Sequence, residues 1–289
     1  MDGPDKPGHD GGMMRGRTVI ITGATSGIGE VAAIRLAEQG ARILFTARDG
    51  SRADATMAKL RRAGPTAAHK AFFADLSLIA EMKRVAEELA AEPSIDVLIN
   101  NAGALFNRRT VTQDGLEKTF ALDHLSYFVV TNLLLPHLKQ GARIVITASG
   151  AHRRAELNLD DLQSERDYAG FAVYSRSKLM NILFTRELAR RIQGTGVTAN
   201  CLHPGFVATR FGDQSGGLVQ HALRLVKPVG AISPEEGAKT IVYLASSPDV
   251  AGVSGKYFYQ CRIDEPSTEA QDDAAARKLW EITEQIAQL

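Results

Sequence analysis

Short apolar runs alternate along this chain with segments in which apolar residues recur every three to four positions. The runs predict strands at 18–22, 41–48, 70–75, 96–101, 142–149, 197–203 and 255–261. The periodic segments predict helices near 28–39, 51–63, 77–91, 115–139, 174–193, 234–247 and 270–287. Val19-Ile20-Ile21, Val97-Leu98-Ile99 and Ile144-Val145-Ile146 are apolar on both sides, as strands of a parallel sheet covered by helices on each face must be. The pattern predicts an α/β fold, one doubly wound domain over 17–289 with a seven-stranded parallel sheet flanked by helices. Residues 1–16, with Gly3, Pro4, Pro7, Gly8, Gly11 and Gly12 among charges, read as a disordered tail. The stretches 150–173 and 210–233 break the alternation beyond strand ends, where an open parallel sheet holds its ligand.

Composition narrows the picture. Hydrophobic residues make up 44% of the 289 and charged residues 23%, which is ordinary globular usage. With 34 Lys and Arg against 33 Asp and Glu the formal charge is +1, so no nucleic-acid partner is expected. Cys201 and Cys261 stand in no metal-ligand spacing, and neither a metal nor a disulfide framework is expected. No apolar run reaches the roughly 18 residues of a membrane span, and residues 1–16 lack the core of a signal peptide. The expectation is a cytoplasmic protein without a transmembrane segment.

The first predicted strand runs into Thr22-Gly23-Ala24-Thr25-Ser26-Gly27-Ile28-Gly29 and then a helix. Glycines there let backbone approach a pyrophosphate, and the helix N-terminus favours its charge. The spacing is GxxxGxG, not GxGxxG, and such a turn alone is weak. The second strand ends at Ala47-Arg48, where a carboxylate would serve the ribose hydroxyls of NAD(H) and a cation a 2′-phosphate. Arg48 therefore favours NADP(H) over NAD(H); the alternative is that it solvates a strand end. Asp75 is suited to accept from an adenine amino group or to cap the helix beginning near Ser77, two roles that do not exclude each other. Asn100-Asn101-Ala102-Gly103 ends the fourth strand with small residues that admit a cofactor, or forms a simple turn.

Tyr174 and Lys178, four apart at the start of a predicted helix, share one face. A phenol of pKa about 10 carries protons poorly at neutral pH, and a neighbouring ammonium is expected to lower that value. Such a pair serves proton transfer to or from a carbonyl oxygen during hydride transfer. Ser149, at the end of the fifth strand, is placed to polarise that carbonyl.

With these pieces in order, the chain resembles the short-chain dehydrogenase/reductase family over roughly residues 17–262. The run at 22–29, Asp75, the Asn-Asn-Ala-Gly of 100–103, Ser149, Tyr174 with Lys178, and His203-Pro204-Gly205 followed by Thr209 carry the likeness. Ala151-His152, the stretch from Ser175 to His203 and the tail are most similar to the retinol dehydrogenase-like branch. The resemblance implies a Rossmann-type domain, an acid/base at Tyr174, a tuning and ribose-binding Lys178 and a substrate-holding Ser149. It implies cofactor contacts at Gly23, Thr25, Ser26, Gly27, Ile28, Gly29, Arg48, Asp75, Leu76, Asn101, Ala102, Gly103, Tyr174, Lys178, Pro204, Gly205, Val207 and Thr209. The family's fourth catalytic residue, an asparagine, appears here as Asp123, whose charge is expected to alter pH dependence without abolishing activity. Asp123 alternatively pairs with His124 or Lys118 and is structural.

The apolar residues of 210–233 read equally as a lid over the nicotinamide or as a core helix. A lid implies a small hydrophobic carbonyl or alcohol as partner, retinoid- or lipid-like by the resemblance. Two rival readings are a cofactor-binding regulator that has lost turnover, motivated by Asp123, and an enzyme of membrane surfaces, although no N-terminal apolar anchor is evident. The family implies a homodimer or homotetramer.

Overall fold

A computed structural model describes residues 12–206 and 232–289. The described elements begin β1 (Thr18–Ile21), α1 (Gly27–Glu38), β2 (Arg42–Ala47), α2 (Gly50–Ala63), β3 (Lys70–Phe73), α3 (Ile79–Ala90) and β4 (Ile95–Asn100). Next come α4 (Lys118–Phe120), a π-helical turn (Ala121–Leu125), α5 (Ser126–Leu134), β5 (Leu138–Thr147), α6 (Gly170–Arg191) and β6 (Thr198–Leu202). The chain closes with α7 (Pro234–Ser246), β7 (Tyr257–Tyr259), β8 (Arg262–Asp264) and α8 (Asp273–Ala287).

Period-two alternation along the strands builds two apolar layers. Val19, Ile21, Ile43, Phe45 and Val145 face one way and pack with Leu36 of α1, Leu60 of α2 and Ile241 of α7. Ile20, Leu44, Leu98, Ile144 and Ile146 face the other way and meet Met82 of α3, Phe128 of α5, Leu183 of α6 and Leu279 of α8. Both faces are dry, which is why these runs carry no polar alternation.

The strand order is β3-β2-β1-β4-β5-β6-β7-β8. β1 to β7 pair in parallel, with Ile20 opposite both Leu44 and Leu98. β8 is an eighth strand, antiparallel to β7, and corrects the seven expected. It exists because Gln260 and Cys261 take positive φ of 46° and 60°, the turn that matches strand twist in a two-residue hairpin. Neither residue is the glycine or asparagine that marks such a turn in a sequence. The order reverses between β1 and β4, and the crevice beyond their carboxyl ends is where such sheets bind ligands.

Two predicted boundaries move. The helix expected to run to 139 stops at Leu134, because Pro136 has no N–H and its ring collides with the preceding turn. β5 accordingly starts at Leu138, opposite Ile95, and not near 142. α6 begins at Gly170, ahead of the expected 174, so Tyr174 stands in its second turn. Of the expected tail, residues 12–16 form a turn that buries Met14 and joins its N–H to the Gln39 carbonyl at 3.1 Å. The remainder of that tail, and residues 210–231 of the expected lid, lie outside the described residues. Among the described residues no helix is long and apolar enough to cross a membrane.

The turn after β1 depends on glycine at two places. Gly23 has φ +70°, and a Cβ on it would lie 2.7 Å from the Ala102 Cα. A Cβ on Gly29 would run into the Gly23 carbonyl and the Asn101 side chain. The variant Gly29→Ala should therefore lose about 1–3 kcal/mol, the usual cost of an overpacked methyl. Thermal unfolding measures this, and an unchanged midpoint would mean that the turn yields freely.

Candidate active site

The ends of β1 and β4 are stapled by side chains. Thr22 Oγ1 accepts the N–H groups of Asn101 and Ala102 at 2.9 and 3.0 Å. Asn101 Nδ2 donates to the Thr22 and Gly23 carbonyls, both at 3.2 Å, and Thr147 Oγ1 donates to Asn101 Oδ1 at 3.3 Å. Asn101 thus works as a splint for the glycine turn, a task its place in the sequence does not reveal. Thr22 belongs to the site as well, and a threonine closing a strand before a glycine turn is the sequence signal that marks it.

Ser26 precedes α1 without capping it through its side chain, and Gly23, Thr25, Gly27 and Ile28 around it are half-buried. Gly29 lies buried beneath them. A turn whose backbone would be filled by any Cβ, with an uncapped helix start, fits the pyrophosphate of a dinucleotide. At the end of β2, Arg48 is exposed, and the carboxylate beside it is occupied. Asp49 caps α2, its Oδ1 accepting from the Arg52 N–H at 2.8 Å and the Ser51 hydroxyl at 2.6 Å.

Asp75 Oδ1 accepts from the Ser77 N–H at 3.0 Å and hydroxyl at 2.8 Å. Partial burial works against its charge, but the Ser77 bonds with the fields of Arg48 and Lys118 hold its pKa below the ordinary value. It caps the turn before α3, not the helix itself, whose Ile79 N–H goes to Asp114 Oδ2 at 2.8 Å. Leu76 is buried beside it.

Ser149, Tyr174, Lys178 and Asp123 do come together. Tyr174 is 8% exposed and shares a hydrogen bond with the Ser149 side chain. Lys178 Nζ lies 5.3 Å from the Tyr174 ring centre and 5.5 Å from that of Tyr127. It pairs with Asp123 Oδ2 at 3.3 Å, an ion contact without good hydrogen-bond geometry at that oxygen. Asp123 Oδ1 accepts from the Ala104 N–H at 2.9 Å. Gly103 leaves the room for this pair, since a Cβ there would lie 3.2 Å from both Asp123 Oδ2 and Lys178 Nζ.

Two expectations are corrected here. The Tyr174 phenol is pushed up, not lowered, because burial and then the Asp123 charge oppose the phenolate while only the Ser149 hydroxyl favours it. Asp123 pairs with neither His124 nor Lys118. Burial raises it to about 6, against the pull of Lys178 and the Ala104 N–H. A π turn, closed by the Ser126 N–H on the Ala121 carbonyl, aims this residue inward.

Sequence reading also missed what lies behind Asp123. Its carbonyl accepts from Asn181 Nδ2 at 2.8 Å, and Asn181 Oδ1 meets His124 Nδ1 at 3.1 Å. His124 Nε2 meets the Thr283 hydroxyl of α8 at 3.2 Å. Complete burial lowers His124 to about 4 and keeps it neutral. A buried polar string thus joins the Asp123 backbone to the last helix.

At the end of β6, His203 stacks on Tyr259 with centres 4.0 Å apart, and its Nδ1 accepts the Gly205 N–H at 3.3 Å. Pro204 and Gly205 are half-buried there, Gly205 with φ +91°. Val207 and Thr209 lie outside the described residues. Among the described residues no His, Cys, Asp and Glu cluster is arranged to hold a metal.

Known proteins place this geometry in a family. The family model described as short chain dehydrogenase matches residues 17–216. Retinol dehydrogenase 14 of Mus musculus is 44% identical, over 96% of this chain and 87% of that protein. Retinol dehydrogenase 13 of Homo sapiens is 39% identical, over 92% and 82%. Among solved structures, an uncharacterized protein from Mycobacterium paratuberculosis superposes with TM-score 0.77 at 31% identity, covering 95% of this chain and 94% of that one. A short chain dehydrogenase from Burkholderia cenocepacia in complex with NADP gives TM-score 0.67 at 26% identity, covering 85% and 96%. A glycine turn on β1, a reversal of strand order beside it and a Ser–Tyr–Lys cluster beyond β5 accompany these likenesses, and the chain belongs to the short chain dehydrogenase family of nicotinamide-dependent oxidoreductases, resembling its retinol dehydrogenases.

Proposed function

We propose that the protein is an NADP(H)-dependent oxidoreductase that interconverts a hydrophobic aldehyde or ketone, retinoid- or lipid-like, and its alcohol, with Tyr174 as acid/base. The observation that carries this reading is the buried Tyr174 hydroxyl hydrogen-bonded to Ser149, with Lys178 on the same helix face. The relatives named as retinol dehydrogenases support the substrate class.

The chain's own groups suit the reducing direction. A phenol pushed up by burial is protonated at neutral pH and is a donor toward oxygen that gains negative charge. Ser149 holds the same oxygen and aligns it with Tyr174. Lys178 sets a buried positive charge beside the ring that must take up the phenolate, and Asp123 offsets part of that charge. The glycine turn, the start of α1 and Asn101 to Gly103 would hold the dinucleotide, with Asp75 and Leu76 on the adenine side and Pro204 and Gly205 toward nicotinamide. When bound, the nicotinamide supplies or accepts the hydride. The preference for NADP(H) is supported by exposed Arg48 and by Asp49, whose carboxylate is spent on the start of α2.

Three outcomes test this. Tyr174→Phe should lower kcat by about a hundredfold to ten-thousandfold while NADPH still binds, followed as NADPH oxidation with retinal and aliphatic aldehydes. Wild-type protein that binds NADPH tightly and turns over none of them would instead be a cofactor-binding regulator.

Arg48→Ala should raise the KM for NADPH roughly ten- to hundredfold and leave that for NADH within about twofold, the effect of one charge-assisted contact. Equal changes for both coenzymes would remove Arg48 from the 2′ position.

As pH rises through about 6, Asp123 gains charge and opposes ionisation of Tyr174. Asp123→Asn should therefore abolish an inflection near pH 6 in kcat/KM and move the alkaline limb to lower pH. Superimposable profiles would show that the two residues do not communicate.

A further inference from the structure

His152 follows the serine of the proposed site within a 3-10 turn, Gly150–Arg154, and is fully buried. Both ring nitrogens have backbone partners. Nδ1 lies 2.7 Å from the Ser149 carbonyl oxygen, and Nε2 lies 3.1 Å from the Ser267 amide nitrogen. A backbone N–H can only donate, so Nε2 is the unprotonated acceptor. The proton then sits on Nδ1 and is donated to the Ser149 carbonyl. The tautomer follows from its partners.

Two further contacts make this a clamp. Tyr257 meets the His152 ring edge-on at 5.1 Å, fixing its plane. Neighbouring Arg153 grips the same distant segment, through Asp264 Oδ2 at 3.0 Å and the Glu265 carbonyl at 2.6 Å. The Ser149 carbonyl also receives the His152 N–H at 3.2 Å, so two donors hold the peptide that follows Ser149. Fixing that peptide fixes the direction of the Ser149 side chain, whose Oγ receives the Ala151 N–H at 3.2 Å and faces Tyr174. Burial favours the neutral ring, as acceptance of the Ser267 N–H at Nε2 requires.

We propose that His152 is a positioning residue: Nδ1 of its neutral ring holds the Ser149 carbonyl and thereby the aim of the Ser149 hydroxyl, while Nε2 ties segment 264–267 to the same ring through the Ser267 amide. The kinetic side of this rests on the reading of Ser149 and Tyr174 given above; the tie itself does not.

Two variants separate the halves of the clamp. An asparagine amide reaches the place of Nδ1, and a glutamine amide reaches that of Nε2. His152→Asn should keep kcat within about threefold, and His152→Gln should lose about tenfold in kcat with KM and NADPH affinity unchanged, the loss expected of one hydrogen bond. Amide exchange at Ser267 should show the reverse order, fast in His152→Asn and as slow as wild type in His152→Gln. Nitrogen NMR of histidine-labelled wild type should show an Nδ1–H tautomer, assigned by its disappearance in either variant.

An Nε2–H tautomer, a slow Ser267 amide in His152→Asn, or wild-type kcat in His152→Gln would each overturn the proposal. Should the wild type reduce no carbonyl, the functional reading fails by itself. The tie is then decided by the tautomer and the exchange rates, neither of which needs a substrate.

Discussion

Lys178 and Asp123 are 3% and 0% exposed, and charge removed from water this far is costly unless a counter-charge and hydrogen bonds replace the lost solvent. Their neighbours answer that requirement. Gly103 stands aside, the Ala104 N–H satisfies one carboxylate oxygen, and the π turn aims Asp123 at the ammonium. Glu117, itself buried, anchors the start of this helical stretch by accepting the Thr119 and Phe120 N–H groups at 2.9 and 2.7 Å. The same carboxylate opposes ionisation of Tyr174, so a structural demand for charge balance and the tuning of a phenol meet in one residue.

Rigidity around the site comes from connections that span long stretches of chain. Thr22 and Asn101 lock β1 to β4, while Asn181, His124 and Thr283 run from the Asp123 carbonyl to α8. His152 and Arg153 hold the segment leading into that same helix. The last part of the chain thus buttresses the middle of the site from two directions. Neither histidine tolerates a positive charge in its surroundings, which suits them to hold position.

Much of this was legible in the residues. Continuous apolar strands announced a sheet covered on both faces, and the Tyr174–Lys178 spacing survived a helix that starts a turn early because Gly170 lies against the Phe106–Asn107 backbone. What stayed hidden depended on geometry that spacing does not encode. The hairpin at Gln260–Cys261 uses left-handed residues that are not glycine, and the apolar periodicity around Pro136 masks the helix end that it imposes. The direction of the Tyr174 shift required knowing that the ring is buried and that Asp123, fifty-one positions away in the chain, faces Lys178. His124 and His152 carry no local sign of Asn181 and Ser267, the partners their rings meet 57 and 115 residues away.

The π turn at Ala121–Leu125 carries one more lesson. It holds its extra residue by winding wider than an α-helix. Deleting one residue there would let the coil relax to ordinary winding while the helical turns on either side kept their faces. The apolar stripe of α5 would stay on the sheet, but Asp123 would lose the wider coil that aims its carboxylate at Lys178. Chain length in these five positions is thereby under a constraint that side-chain chemistry alone does not express.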